Sequence, residues 1–268
     1  MTRARRLWSA AAMSTPVALV TGASRGIGKR LCADLAATGY DVACAARTSQ
    51  AAPGRLPGTI EETAHAVTEK GRRAMAVALD VQDEEACRAL AERIHREWGR
   101  CDVLINNAAV APPKPALADS IRRWRLAVDV NLNGPFYLMY HLCPRMAEAG
   151  GGRVVNVSSG AAVAPEFGRA SYTTTKLALE GLTQCMANDL AGRVAVNCIR
   201  IDLPIWTEGF DATLPPDFDR SAFEDAAIMT DAVLWLLRQG LDYTGQILTL
   251  GALRKQGVVR PPTRDARA

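Results

Sequence analysis

The chain has 268 residues, 49% of them apolar and 22% charged, which suits one α/β domain with a substantial core. The net charge of +4 belongs to the two ends: residues 1–16 carry +3 and residues 251–268 carry +4, so the body is near −3 and offers no basic nucleic-acid face. No apolar run approaches the ~20 residues of a membrane span, and His65, His95 and His141 share no ligand spacing with each other or with the cysteines, which excludes a metal site.

Residues 1–14 pair arginines with Leu7, Trp8 and alanines, like a weak signal peptide. The apolar part is short and the first strand begins at Val17, so this stretch is read as a poorly ordered extension, with Met13 an alternative start. Seven short apolar runs predict strands at Val17–Val20, Val42–Ala46, Met75–Leu79, Val103–Asn106, Val154–Val157, Val194–Ile199 and Ile247–Leu250. Helical segments are expected between them near 26–38, 59–70, 83–98, 119–148, 171–191 and 225–238. Strict alternation of this kind predicts a doubly wound, seven-stranded parallel sheet, a single-domain Rossmann fold of the α/β class. Loops are expected at 51–58, around Pro112, Pro113 and Pro115, and over 205–223; residues 257–268 read as a loose tail. Seven scattered cysteines, at 32, 44, 87, 101, 143, 185 and 198, form no C-x-x-C pair. Their number is odd and several fall in apolar segments, which fits reduced core thiols in a cytoplasmic protein.

The first strand runs into Gly22-Ala-Ser-Arg-Gly26-Ile-Gly28 and then a helix with Ile27, Leu31 and Leu35 on one face. A strand, a glycine turn and a helix N-terminus make an anion cradle for a dinucleotide pyrophosphate, because glycine lets backbone approach the phosphates and the helix offers free N–H groups. The spacing is wider than Gly-x-Gly-x-x-Gly, and alone it also describes an ordinary strand-to-helix turn.

Tyr172 and Lys176 are four apart and share a helix face. A phenol near pKa ~10 is a poor catalyst at neutral pH, and an adjacent ammonium is expected to lower that pKa. On its own the pair also fits a solvated surface. Ser158 and Ser159 follow the fifth strand, at the sheet edge where open α/β sheets bind ligands, and one of them suffices for catalysis. Asn106-Asn-Ala-Ala109 ends the fourth strand at the same edge, and Asn131 is a polar residue in an apolar helix.

Together these motifs resemble the short-chain dehydrogenase/reductase family from about Val17 to Gly251. The glycine turn, Asp80-Val81, Asn106-Asn107-Ala108 and the set Asn131, Ser159, Tyr172 and Lys176 match that family's pattern in order and spacing. The Ser159–Tyr172 interval selects Ser159. Leu56-Pro-Gly-Thr-Ile60 is more locally similar to a hydroxysteroid-dehydrogenase-like branch. The resemblance implies an alcohol dehydrogenase or carbonyl reductase: Tyr172 exchanges the proton, Ser159 bonds the reacting oxygen, Lys176 binds the nicotinamide ribose and tunes Tyr172, and Asn131 holds a water connecting Lys176 to solvent. It implies cofactor contacts from Gly22, Ser24, Arg25, Gly26, Ile27, Gly28, Arg47, Asp80, Val81, Asn107 and Ala108, with Tyr172 and Lys176. The second strand ends in Ala46, where an NAD enzyme of the family has aspartate, and Arg47 follows. With Arg25 this points to NADP(H) over NAD(H).

Two stretches bear on the substrate and on oligomerisation. The Rossmann domain is taken as 15–256 with a substrate lid at about 203–224, where Ile205, Trp206, Phe210, Leu214, Phe218 and Phe223 suit a small hydrophobic substrate or plain packing. The family pairs subunits into homodimers or homotetramers through helices equivalent to 119–148 and 171–191. The stripe Leu179, Leu182, Met186, Leu190 fits that role or the face against the sheet. One departure is Ile201-Asp202 where the family has Pro-Gly, which places a carboxylate near the nicotinamide ring. It keeps open a second function, a catalytically silent NADP-binding regulatory or scaffold protein.

Overall fold

The computed structural model describes residues 15–111 and 113–262. The expected extension 1–14 with its alternative start, Pro112 of the proline loop and residues 263–268 of the expected tail lie outside the described residues.

Seven strands, β1 (Val17–Thr21), β2 (Asp41–Ala46), β3 (Ala74–Ala78), β4 (Val103–Asn106), β5 (Gly152–Ser159), β6 (Val194–Ile201) and β7 (Ile247–Thr249), form one sheet. All pairings are parallel, in the order β3-β2-β1-β4-β5-β6-β7. Nine α-helices are named here: α1 (Gly26–Ala37), α2 (Ile60–Thr68), α3 (Glu84–Trp98), α4 (Ile121–Val128), α5 (Gly134–Glu148), α6 (Ala170–Asp189), α7 (Glu208–Asp211), α8 (Ala227–Leu237) and α9 (Leu250–Lys255). Successive strand residues point to opposite faces. Ala18 and Val20 pack with Leu31, Leu35 and Val233 of α1 and α8, while Val17 and Leu19 pack with Leu90, Ile94 and Leu142 of α3 and α5. Both faces are therefore dry, which is why the strands read as unbroken apolar runs. Strand order reverses between β1 and β4, and that reversal opens a crevice at the carboxyl ends of the strands.

Several boundaries differ from the sequence reading for identifiable reasons. The expected helix over 119–148 is α4, a π turn at Asp129–Asn133 and α5. Pro135 has no N–H, so the α-helical bond to the Asn131 carbonyl is not made, and the chain widens there. Leu250, expected in the last strand, starts α9 because the Thr249 hydroxyl accepts from Ala252 N and turns the chain. The expected loose tail is docked as far as Arg260: Val259 is buried in the core and Arg260 pairs with Asp231 of α8 at 2.6 Å. The stripe on α6 faces its own sheet, since Leu179 and Leu190 are buried and Leu182 and Met186 pack on the same core.

Candidate active site

β1 delivers Thr21 to the crevice, and the turn that follows holds Gly22 and Gly26 at φ +64° and +54°, a region that favours glycine. A Cβ at Gly28 would lie 2.2 Å from the Gly22 carbonyl oxygen, so the turn closes only over glycine. The Thr21 hydroxyl accepts from Asn107 N (3.0 Å) and Ala108 N (3.1 Å), and Asn107 Nδ2 donates to the Thr21 carbonyl (2.8 Å). The glycine turn and the Asn-Asn-Ala stretch are thus one bonded unit, with Thr21 as the clasp; its hydroxyl was not singled out from sequence. No side chain of the residue preceding α1 caps that helix, and its first turn holds no acidic residue. The Gly26 N–H is met by Glu208 Oε2 of α7 at 2.9 Å.

Beyond β3, Asp80 accepts from Gln82 N (3.1 Å) and Nε2 (3.0 Å). Val81 is buried so closely that a Cβ on Gly134 would lie 2.8 Å from its Cβ. Ser24 is buried, and Ile27 packs against the core. Arg25 bonds the neighbouring loop: Nε donates to Pro57 O (2.9 Å) and Nη2 to Leu56 O (3.0 Å) and Gly58 O (3.3 Å). It organises the loop that resembles the hydroxysteroid-dehydrogenase-like branch. Arg47, just beyond β2, is exposed. A glycine cradle and a helix start fit a nicotinamide dinucleotide.

The second group of candidate residues lies on β5 and α6. Ser158 and Ser159 end β5 and point to opposite sides, and the structure separates them. The Ser158 hydroxyl donates to Glu180 Oε1 at 2.7 Å in the interior, whereas Ser159 Oγ accepts from Ala161 N at 3.3 Å and lies close enough to Tyr172 to favour its ionised form. Lys176 is 2% exposed; its Nζ lies 5.7 Å from the Tyr172 ring centroid and donates to Val157 O at 2.6 Å. Asn131, fully buried on the π turn, accepts from Val110 N (2.8 Å) and donates to Val110 O (2.9 Å) and Thr175 Oγ1 (3.1 Å). Its side chain is spent on positioning, tying the π turn to the backbone of Val110 and to Thr175. Sequence reading did not find Glu180, which takes Arg200 in a bidentate pair at 2.8 and 2.6 Å, or Thr183, which accepts from Asn156 Nδ2 at 2.9 Å. Both recur with Lys176 at helical spacing, a polar stripe that periodicity could have revealed.

Electrostatics here differ from the expectation. Burial pushes the Tyr172 hydroxyl above its ordinary pKa, while the Ser159 hydrogen bond and the Arg169 charge act in the other direction. Burial lowers Lys176 to about 8. The Lys176 ammonium is turned to the Val157 carbonyl. Asp202 also departs from expectation: its Oδ1 accepts from Gly251 N at 2.9 Å, so the carboxylate fastens the first turn of α9. Gly251 makes room for it, since a Cβ there would lie 2.8 Å from Asp202 Oδ2.

The segment after β6 is closed at its base by Trp206 N donating to Glu224 O (3.0 Å) and Glu224 N donating to Pro204 O (2.7 Å). Ile205 and Phe223 are buried, Phe210 stacks edge-on against Phe223 at 5.4 Å, and Trp206 and Phe218 remain partly exposed. Among the described residues no group of three or more His, Cys, Asp and Glu side chains could hold a metal ion, and no helix is long and apolar enough to cross a membrane.

A family profile described as short chain dehydrogenase matches residues 16–203. The chain belongs to the short-chain dehydrogenase/reductase family. The chain is 30% identical over 244 residues to hydroxysteroid dehydrogenase-like protein 2 of Danio rerio, covering 89% of this chain and 58% of that protein. It therefore spans less than two thirds of that relative. It is 33% identical over 186 residues to the 3-oxoacyl-acyl-carrier-protein reductase FabG of Staphylococcus aureus, covering 69% of this chain and 73% of that one. Among solved structures, a short chain dehydrogenase from Shigella flexneri, complexed with NADP, superposes with a TM-score of 0.78 at 26% identity, covering 88% of this chain and 97% of the other. A short chain dehydrogenase from Mycobacterium paratuberculosis bound to NAD shares the fold at TM-score 0.76 and 24% identity, covering 87% and 95%.

Burying Lys176 has a testable cost in this short-chain dehydrogenase/reductase. Its folded pKa of about 8 lies below the unfolded value of ~10.4, so between those values the unfolded chain binds more protons and stability rises with pH. Below pH 8 the full cost is present. Lys176→Met should therefore be more stable than the wild type at pH 7, by up to about 3 kcal/mol, and the gap should close as pH rises toward 10. Urea denaturation of both proteins across this range checks it; a variant less stable at pH 7 would show that the ammonium is not strained by burial.

Proposed function

We propose that this chain is an NADP(H)-dependent alcohol dehydrogenase or carbonyl reductase acting on a small hydrophobic alcohol or ketone. The observation that carries the reading is the meeting of Ser159, Tyr172 and Lys176 beyond β5, on the same sheet edge as a glycine cradle. When bound, the nicotinamide supplies or accepts the hydride. In reduction, the Tyr172 hydroxyl gives its proton to the carbonyl oxygen, and in oxidation it takes one from the alcohol. Ser159 Oγ holds that oxygen with a preorganised hydrogen bond. Lys176 binds the nicotinamide ribose and steadies the phenolate, and the Asn131 carbonyl holds a water that refills the proton. Asp202, the residue that favoured a silent scaffold, is engaged with α9 and takes nothing from this set. The aromatic segment 203–224 covers the substrate.

NADP over NAD rests on Ala46 ending β2 without a carboxylate and on exposed Arg47 beside it. Arg25 supports the adjoining loop. Solved neighbours hold NADP or NAD, so the family accommodates either. Exposed Trp124, Phe136, Tyr140 and Leu177 on α4, α5 and α6 are the surface through which we place subunit pairing, as a homodimer or homotetramer. The seven unpaired cysteines suit a reducing, cytoplasmic setting.

Two measurements test the reading. Wild type should favour NADPH over NADH in kcat/KM, and Arg47→Ala should lower that preference at least ~10-fold, the worth of a charge-assisted hydrogen bond; an unchanged preference would remove Arg47 from the site. Tyr172→Phe should leave the dissociation constant for NADPH nearly unchanged and reduce turnover ~10²–10⁴-fold, whereas turnover within a few-fold of wild type would assign the proton to another group.

A further inference from the structure

The glycine cradle is built for an anion, and in this structure an anion of the chain itself reaches it. Glu208 Oε2 accepts from Gly26 N at 2.9 Å, although the two residues are 182 apart in sequence. Gly26 opens α1, where the helix start carries partial positive charge and free N–H groups. Thr207 packs on the same spot: a Cβ built on Gly26 would lie 3.1 Å from its Cβ and Cγ2. The cradle is real apart from this contact, since Gly28 tolerates no side chain against the Gly22 carbonyl. Glu208 is held in place by α7, whose first turn is capped by the Thr207 hydroxyl accepting from Phe210 N at 3.1 Å, and by the clasp of Trp206 on Glu224.

We propose that Glu208 is an internal competitor for the seat of the cofactor pyrophosphate, so that dinucleotide entry displaces the carboxylate and lifts the start of the 203–224 segment. The inference rests on the reading of the glycine turn as a dinucleotide site. Two anions cannot share one N–H, so the affinity of the cofactor is lowered by whatever Glu208 gains at Gly26. Movement of α7 then couples the two ends of the site: the segment that covers the substrate is released by the arrival of the cofactor. Glu208 acts through position and charge and takes no part in proton transfer.

The test is binding, measured by calorimetry without substrate. Two probes are used: NADPH, which carries the pyrophosphate, and adenosine 2′-monophosphate, which keeps the base and the 2′-phosphate and lacks it. Glu208→Gln and Glu208→Ala should bind NADPH about three- to tenfold more tightly than wild type, the range expected for an anion at a helix start, and bind adenosine 2′-monophosphate as wild type does. Thermal melts of both variants establish that they are folded. NADPH binding equal to or weaker than wild type in both folded variants overturns the competition while leaving the dinucleotide site standing. An equal gain for both probes also overturns it, because the effect would then not be on the pyrophosphate seat. Absence of NADPH binding in all three proteins overturns the functional reading itself.

Discussion

Helix α6 presses a polar stripe against a largely apolar sheet, and the hydrogen bonds of that stripe fix where Tyr172 and Lys176 stand. Asn106 Nδ2 donates to Asn156 Oδ1, Asn156 Nδ2 donates to Thr183, and Ser158 and Arg200 both reach Glu180. A polar group buried without its partner costs about 1–3 kcal/mol, so sliding α6 by one turn would orphan several at once. The network is more specific than hydrophobic packing, which tolerates slippage as long as volume is kept. Tyr172 and Lys176 inherit their positions from it, two turns and one turn before Glu180 on the same helix.

The crevice is held from the other side by Thr21. One hydroxyl joins the end of β1 to the backbone after β4, across the point where strand order reverses. The glycine turn and the Asn-Asn-Ala stretch therefore cannot spread apart, and the anion cradle keeps its shape without a ligand. Preorganised donors of this kind need no rearrangement when charge arrives. The segment after β6 is tied at its base and rests on the cradle through the Glu208 carboxylate and the side chain of Thr207.

The doubly wound sheet was legible in the sequence because dry strands leave unbroken apolar runs and helices leave a 3.6-residue rhythm. The break at Asn131 was not, although Pro135 four residues later is its cause; a proline that removes one bond reads like ordinary helix start chemistry unless its partner carbonyl is counted. Ser159, Tyr172 and Lys176 were assembled from the family resemblance, whose interval selected Ser159 over Ser158; the fold adds what Ser158 does, which is to bond Glu180, a tertiary partner. Arg25 shows the limit most plainly. Its type and place suggested a phosphate, and the fold adds three loop carbonyls as partners that sequence did not reveal. Likewise Asp202 looked like an intruder beside the ring until Gly251, 49 residues on, appeared as its partner.

The most direct measurement is the fate of the hydride. NADPH carrying deuterium at C4 of the nicotinamide is mixed with the enzyme and a panel of apolar ketones, and the products are examined by mass spectrometry. The account predicts an alcohol with deuterium on the former carbonyl carbon for at least one ketone, formed by wild type and lost in the Tyr172→Phe protein. NADPH bound at the cradle with no deuterium in any alcohol across the panel would contradict it.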